Sequence, residues 1–219
     1  MRLESSGGRT AVLKLPADNP FFTGRDVSLR KLDMLVAQAE WPRAVVVQGM
    51  AGSGKTALAL HWAHRTAGRF PDGILFTDLR GTSGGPVTPG AAMGQVLRAM
   101  GVPGDQLPRT AAGLAAQCRS LLADRRMLLI LDDAAGPEQV GPLLAAAESG
   151  LVIVTSRRRL PPPLRGADVR TLELRELAAQ EAEDLIAGVL DPATRGSRGS
   201  GGRSPGWPAS AGGCRWPSR

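Results

Sequence analysis

The chain has 219 residues, a formal charge of +7, few aromatic residues and no Tyr. This length allows one sizeable domain with an aliphatic core. Residues 192–219 contain five Arg and no acidic residue, which leaves 22 basic against 20 acidic residues in the rest of the chain. This near balance argues against nucleic-acid binding by the body of the protein.

Cysteine usage and hydropathy predict the compartment. Cys118 and Cys214 have neither metal-ligand nor redox spacing, which predicts reduced thiols. No stretch approaches the ~20 apolar residues of a transmembrane helix, and no apolar run of the secretory type follows Met1. We therefore expect a soluble, cytoplasmic protein with no membrane partner.

The first third of the chain alternates helical and strand patterns. Residues 1–18 predict a loosely ordered lead-in. Apolar residues at near-helical spacing then predict a helix from Asp26 to about Glu40. The apolar run 43–48 predicts a buried strand, 56–65 a helix, and 73–81 a second strand closed by glycine.

The remaining part continues this alternation up to Asp191. Further helices are predicted over 88–101, 110–123, 137–147 and 178–190, and further strands over 126–133, 150–156 and 169–174. Because the strands are apolar throughout and alternate with helices, we predict an α/β fold: a parallel sheet of about five strands with helices on both faces. The folded domain would span 19–191, followed by a disordered basic tail over 192–219.

A glycine-rich loop lies between the first predicted strand and its helix. The segment "GMAGSGKT" satisfies the pattern G-x-x-x-x-G-K-[ST] in the strand–loop–helix context that this motif requires. Its backbone N–H groups and the helix N-terminus would cradle phosphates, Lys55 would reach the β and γ phosphates, and Thr56 would ligate Mg²⁺. The alternative is a glycine-rich turn without a ligand. The predicted phosphate-binding residues are Gly49, Met50, Ala51, Gly52, Ser53, Gly54, Lys55 and Thr56.

Two carboxylates end the strand "RMLLILDD". Asp132 is placed to hold the water shell of Mg²⁺, and Asp133 to orient the attacking water. For Asp133, a helix-capping role remains an alternative. Because Asp is shorter than the Glu of strong ATPases, at most a slow Mg-dependent ATPase is expected, with Asp133 and Lys55 as its catalytic residues.

The next strand, "LVIVTS", is followed by three arginines. Ligands of open α/β sheets bind at the carboxyl ends of strands, so Arg157 could contact a γ-phosphate. The alternative is a solvated basic loop, which is the better interpretation for Arg158 and Arg159.

In this order, the segments "FFTGRD", "GMAGSGKTALAL", "FTDLRG", "RMLLILDD" and "LVIVTSRRRL" closely resemble the NB-ARC class of signalling NTPases, in the STAND group. The segments "LPADNPFFTGRD" and "VTSRRRL" most resemble the nucleotide-binding domain of bacterial antibiotic-pathway (SARP-type) transcriptional regulators. The resemblance covers about residues 16–190.

This resemblance implies roles for residues outside the phosphate loop. The segment 22–25, with Gly24 and Arg25, would lie against the adenine and ribose. Asp78 and Arg80 would belong to the segment after the second strand.

The resemblance also implies a switching cycle in which Arg157 senses the γ-phosphate. Family members are ADP-bound and closed at rest and ATP-bound and open after a signal, and hydrolysis resets them. The chain would then be an ATP/ADP-binding switch module with Mg²⁺, taken from a signalling or transcriptional regulator. Protein partners or sensor domains are expected in a fuller relative, and an oligomer on activation is allowed.

Other functions stay open at this stage. A fast metabolic ATPase or kinase would need an acceptor pocket and a stronger base than the sequence offers. The basic tail could bind nucleic acid, or the chain could be a non-functional remnant.

The tail departs from the family pattern, because the family continues into a helical subdomain with a "CGGLPLAL"-type motif. Read from the third base of each codon, "SAGGCRWPSR" permits Cys-Gly-Gly-Leu-Pro-Leu-Ala-Leu-Ala, and each Trp-Pro pair must give Ala. We hypothesise that residues from about 192 onward are an out-of-frame reading, so that the module is truncated and lacks part of the wall around the base. The alternative is a natural disordered tail.

Resequencing the coding DNA tests this hypothesis. We expect a shifted frame that encodes a Leu-Pro-Leu segment at this position; if no frame encodes one, the hypothesis is wrong.

Overall fold

The computed structural model describes residues 12–37, 42–82, 84–161 and 169–190. Six strands and six α-helices are found in these ranges. The strands are β1 (Val12–Lys14), β2 (Ala44–Gln48), β3 (Ile74–Asp78), β4 (Leu128–Asp132), β5 (Leu151–Ser156) and β6 (Val169–Glu173). The helices are α1 (Asp26–Ala37), α2 (Lys55–Thr66), α3 (Pro89–Ala99), α4 (Ala111–Leu122), α5 (Pro137–Ala146) and α6 (Ala179–Leu190).

The strands form one parallel sheet in the order β1-β3-β4-β5-β2-β6. The predicted α/β fold is thereby confirmed, with the five predicted strands as β2 to β6. Because all strands run in the same direction, the loops that follow β2, β3, β4 and β5 leave the sheet on one side, at the carboxyl ends of the strands. We call this side the edge of the site. Strand β5 lies between β4 and β2 and separates the two loops that carry the predicted phosphate and Mg²⁺ residues.

Strand β1 is the one strand that sequence reasoning missed. It lies within the predicted loosely ordered lead-in. Strand β1 is an outermost strand of the sheet, and its Val12 pairs with Ile74 of β3. Three residues contain too few alternations to produce a period-2 signal, and an edge strand needs only one neighbour.

Each central strand contributes alternate residues to two apolar layers. In β2, Ala44 and Val46 pack with helices α3, α4 and α5, whereas Val45 and Val47 pack with α1 and α2. The sheet is therefore covered on both faces, which explains why its strands read as unbroken apolar runs. In the second layer the fully buried Trp62 donates its indole N–H to Asp33 of α1 at 2.9 Å, which satisfies its polar atom.

Residues 191–219, including the predicted disordered tail, lie outside the described residues. Within the described ranges, no helix combines the length and the apolar character needed to cross a membrane.

Candidate functional site

The loop between β2 and α2 is shaped by glycines. Gly52 and Gly54 have φ angles of 76° and 85°, a left-handed backbone that suits glycine. At Gly49 a Cβ atom would collide with the carbonyl oxygen of Leu174, so only glycine allows this close approach. Gly54 is the N-cap of α2 and provides no side-chain cap, so the first N–H groups of the helix remain available to an anion.

Lys55 folds back over this loop. Its Nζ donates to the carbonyl oxygens of Gly49 at 2.9 Å and Met50 at 2.6 Å, and to Ser53 Oγ at 3.3 Å. The side chain is buried, and desolvation is the main cause that lowers the pKa of Lys55, followed by the charge of Arg157. The ammonium group thus lies over the loop whose N–H groups are suited to phosphate.

Asp132, at the carboxyl end of β4, contacts both β5 and α2. Its Oδ1 accepts hydrogen bonds from the Thr56 hydroxyl at 2.8 Å and the Thr155 hydroxyl at 2.6 Å. Thr155 is in β5, beside Val47 of β2, so it bridges the gap between the two strands. The sequence-predicted pair Thr56 and Asp132 is therefore brought into direct contact.

The electrostatics of Asp132 fit a divalent cation. Burial raises the pKa of this carboxyl, and the charges of Asp78 and Asp133 raise it further, against the two hydroxyl hydrogen bonds. A bound Mg²⁺ would offset that repulsion, and carboxylate and hydroxyl oxygens are ligands that it accepts. Thr56 and Asp132 are the residues that would hold it.

Asp133 is held in a left-handed conformation, with φ of 52°. Its N–H donates to Thr155 Oγ1 at 2.9 Å, and its Oδ2 accepts from the N–H and the hydroxyl of Thr82 at 3.0 and 2.6 Å. The alternative helix-capping role is wrong, because the N-cap of α5 is Gly136.

Arg157 reaches the site from the end of β5. Its Nε lies 3.4 Å from Asp133 Oδ1, and about half of its side chain is exposed. Arg159 instead pairs with Glu173 at 3.6 Å on the surface. Arg157 and Arg159 therefore have different partners: Arg157 contacts Asp133 at the site, and Arg159 contacts Glu173.

Arg25 approaches the phosphate loop from a turn before α1. Its Nη2 donates to the carbonyl oxygen of Ser53 at 2.8 Å. Gly24 and Arg25 both have left-handed φ angles, of 68° and 65°. Phe22 stacks on the His61 ring of α2 at a centroid distance of 4.1 Å.

The turn after β3 borders the same edge. The Arg80 N–H donates to Asp78 Oδ1 at 2.9 Å, and Arg80 has a φ of 50°.

Gln139 forms hydrogen bonds to the loops that follow β3 and β4. This role was not predicted from the sequence. Its Nε2 donates to the carbonyl oxygens of Leu79 at 3.0 Å and Val87 at 2.7 Å, and its Oε1 accepts from the N–H of Ala135 at 2.8 Å. The available signal was an amide side chain in a largely apolar helical segment, since such a residue must be satisfied when buried.

An open cavity of about 360 Å³ lies beside the first residues of the phosphate loop. Its other wall is formed by the end of β6 and the segment that follows it. The residues that line it are Gly49, Met50, Glu173, Leu174, Arg175 and Glu176.

The model of one family, the NB-ARC domain, matches residues 26–188 of this chain. The chain belongs to the NB-ARC domain family. This confirms the resemblance seen in the sequence.

Curated relatives point to the same kind of protein. The regulatory protein AfsR of Streptomyces griseus is 41% identical over 133 residues, which is 60% of this chain and 14% of AfsR. AfsR of Streptomyces coelicolor is 38% identical over 149 residues, which is 64% of this chain and 15% of AfsR. The predicted similarity to regulators of this type is confirmed, although the chain spans only about one seventh of their length.

Solved structures match the fold. The Aeropyrum pernix ORC1 protein in complex with DNA has a TM-score of 0.57 at 18% identity, covering 75% of this chain and 48% of that one. The Walker-type ATPase paby2304 of Pyrococcus abyssi has a TM-score of 0.53 at 11% identity, covering 80% of this chain and 59% of that one. The NB-ARC chain therefore has the P-loop NTPase fold.

Replacing Asp132 with Asn should stabilise the nucleotide-free protein. Because the folded-state pKa of Asp132 is raised from the ordinary 3.8, the ionised carboxylate opposes folding above that pH, and the penalty is complete once the pH exceeds the raised value. Asn removes the charge but keeps an oxygen for Thr56 and Thr155. In thermal unfolding at pH 7, we expect Asp132→Asn to raise Tm by a few degrees and to abolish the gain in nucleotide affinity from Mg²⁺.

The matched control is Asp124→Asn, at an exposed carboxylate away from the site. Its Tm should not change, and the gain at Asp132 should shrink at pH 4. A lower Tm for Asp132→Asn at pH 7 would contradict this account.

Proposed function

We propose that this NB-ARC chain is an ATP/ADP-binding switch module of a signalling or transcriptional regulator and that it hydrolyses ATP slowly at most. The observation that carries the proposal is the convergence of Lys55, Thr56 and Asp132 with Arg25 and Arg157 at one edge of the sheet. Three positive charges and a buried carboxylate–hydroxyl pair suit a polyphosphate with its metal ion.

Phosphate binding would proceed by exchange of partners at Lys55. The ammonium now bonds three oxygens of its own loop, and phosphate oxygens would replace some of them. At the same time the loop N–H groups, unopposed by a side-chain cap at Gly54, would receive the phosphate. When bound, Mg²⁺ would neutralise part of the phosphate charge.

The base and ribose would lie in the cavity next to Met50. Arg25 borders this cavity, because it contacts Glu176, one of the lining residues. Arg157 would sense the γ-phosphate, because it reaches the site and pairs there with Asp133 at 3.4 Å, with about half of its side chain exposed. A triphosphate could draw Arg157 away from Asp133, whereas a diphosphate would not reach it. This difference is what a switch requires, since a ligand shifts an equilibrium only by its differential affinity.

Slow hydrolysis is proposed from the state of Asp133. Both of its carboxylate oxygens are engaged, Oδ2 by Thr82 and Oδ1 by Arg157. Thr82 provides two donors to Oδ2, and a water molecule at Oδ1 would have to share that oxygen with Arg157, so orienting the attacking water would compete with this ion pair.

The AfsR relatives are described as regulatory proteins, and this supports the regulatory part of the proposal. The Aeropyrum pernix ORC1 structure is described in complex with DNA, but at 18% identity that likeness concerns the fold. We expect no direct nucleic-acid binding by this chain, and we place protein partners or sensor domains in fuller relatives.

Calorimetric titration with ADP and ATP, with and without Mg²⁺, tests the binding function. We expect the wild-type chain to bind both nucleotides and Lys55→Ala to lose about 50-fold in affinity, because a buried charge-assisted contact with phosphate is removed. The control Lys31→Ala changes an exposed lysine of α1 and should bind as the wild type does. Absence of binding at millimolar nucleotide would favour the non-functional remnant.

Steady-state phosphate release tests the slow-hydrolysis proposal. We expect fewer than about one turnover per minute, as for switch NTPases without an activator, and about tenfold less for Asp133→Asn. Asp124→Asn is again the control. A rate well above one per minute that is lost in Lys55→Ala would instead identify a genuine ATPase.

A further inference from the structure

The turn before α1 has an unusual backbone. Gly24 and Arg25 are consecutive residues with φ angles of 68° and 65°. Glycine adopts this conformation freely, but Arg rarely does, so surrounding contacts must hold it.

Glu181, in the first turn of α6, provides one of these contacts. Its Oε1 accepts the N–H of Arg25 at 3.0 Å, and its Oε2 accepts the N–H of Ala178 at 3.0 Å. The second bond is half of a capping box, in which the third residue of a helix binds the N–H of its N-cap. One carboxylate thus caps its own helix and fixes a turn 156 positions away.

The fit between the turn and α6 is close. A Cβ atom at Gly24 would lie 2.9 Å from Oε1 and 3.1 Å from the Cβ atom of Glu181. Both backbone hydrogen bonds also lower the pKa of Glu181, which keeps the carboxylate charged as an acceptor.

Arg25 carries the connection onward to the phosphate loop. Its Nη2 donates to the carbonyl oxygen of Ser53 at 2.8 Å, and Ser53 Oγ in turn accepts from Lys55 Nζ. Its Nη1 contacts the carbonyl oxygen of Glu176 at 3.5 Å, in the segment that leads to α6. A continuous set of contacts therefore runs from Glu181 through Arg25 and Ser53 to Lys55.

We propose that Glu181 is a positioning residue for nucleotide binding. By holding the Gly24–Arg25 turn, it keeps the Arg25 guanidinium against the phosphate loop and so couples the seating of α6 to nucleotide affinity. This inference rests on the proposed function, because it takes the phosphate loop to be a nucleotide site.

Two substitutions at Glu181 remove its acceptor oxygens in steps, and ADP affinity is measured for each. Glu181→Gln retains a single acceptor oxygen where the carboxylate uses two, and Glu181→Ala retains none. We expect ADP affinity to fall about fivefold in Glu181→Gln and further in Glu181→Ala. Glu183→Gln changes an exposed carboxylate two residues further along α6 and is the matched control, with wild-type affinity expected.

A double-mutant cycle with Arg25→Ala separates positioning from general stability. If Glu181 acts through the Arg25 side chain, Glu181→Gln should have little further effect on ADP affinity in the Arg25→Ala background. Additive losses would mean that Glu181 only stabilises α6, and would overturn the proposal.

Hydrogen exchange of the nucleotide-free chain provides a readout that does not depend on ligand binding. We expect Glu181→Ala to speed exchange of the peptides around Arg25 and Ser53, and Glu183→Gln to leave both unchanged. If only peptides of α6 exchange faster, the proposal is wrong. If the wild-type chain binds no nucleotide, the proposed function is wrong. The exchange rates of the peptides around Arg25 and Ser53 still test whether Glu181 holds the phosphate loop in place.

Discussion

The contact of Asp132 with two hydroxyl groups is the interaction on which the rest of the site depends. Strand β5 separates β4 from β2, so the carboxylate and the phosphate loop belong to strands that do not pair. Thr155 in β5 and Thr56 in α2 both donate to one oxygen of Asp132 and close this gap. Without them, the buried carboxylate would lose two hydrogen bonds that offset its lost hydration. Burial of this acid is therefore supported by hydroxyl groups from the neighbouring strand and from the first turn of α2.

Strained backbone surrounds this contact. In the described ranges, the non-glycine residues with left-handed φ angles are Arg25, Arg80 and Asp133, and all three border the site. Each is matched by a specific acceptor or donor: Glu181 for Arg25, Asp78 for Arg80, and Thr155 with Thr82 for Asp133. Such strain persists only where several contacts define it, and it is typical of ligand sites. The loops at this edge are therefore held by polar contacts in addition to the apolar packing of residues such as Leu79 and Ala134.

Sequence reasoning identified the parts of the site that are contiguous in the chain. The phosphate loop and the carboxylates after β4 form short motifs next to strongly apolar strands, and both the fold and the contact of Thr56 with Asp132 agree with that interpretation. The bond of Glu181 to Arg25 could not be predicted, because it depends on how α6 docks and joins residues 156 positions apart. Gln139 and Thr155 were hidden for a related reason: their importance comes from which carbonyl or carboxylate lies opposite in the fold. Strand β1 was too short to leave a pattern.

The charged groups that would meet a nucleotide already have partners within the protein. Lys55 bonds its own loop, Arg25 bonds Ser53, and Arg157 pairs with Asp133. Nucleotide binding must then exchange these contacts, so the net affinity is the difference between two sets of polar interactions rather than the sum of the new ones. With phosphate bound, the same groups would exchange their internal partners for phosphate oxygens. A switch needs two such arrangements of similar free energy, because a ligand shifts an equilibrium only by its differential affinity for the two states.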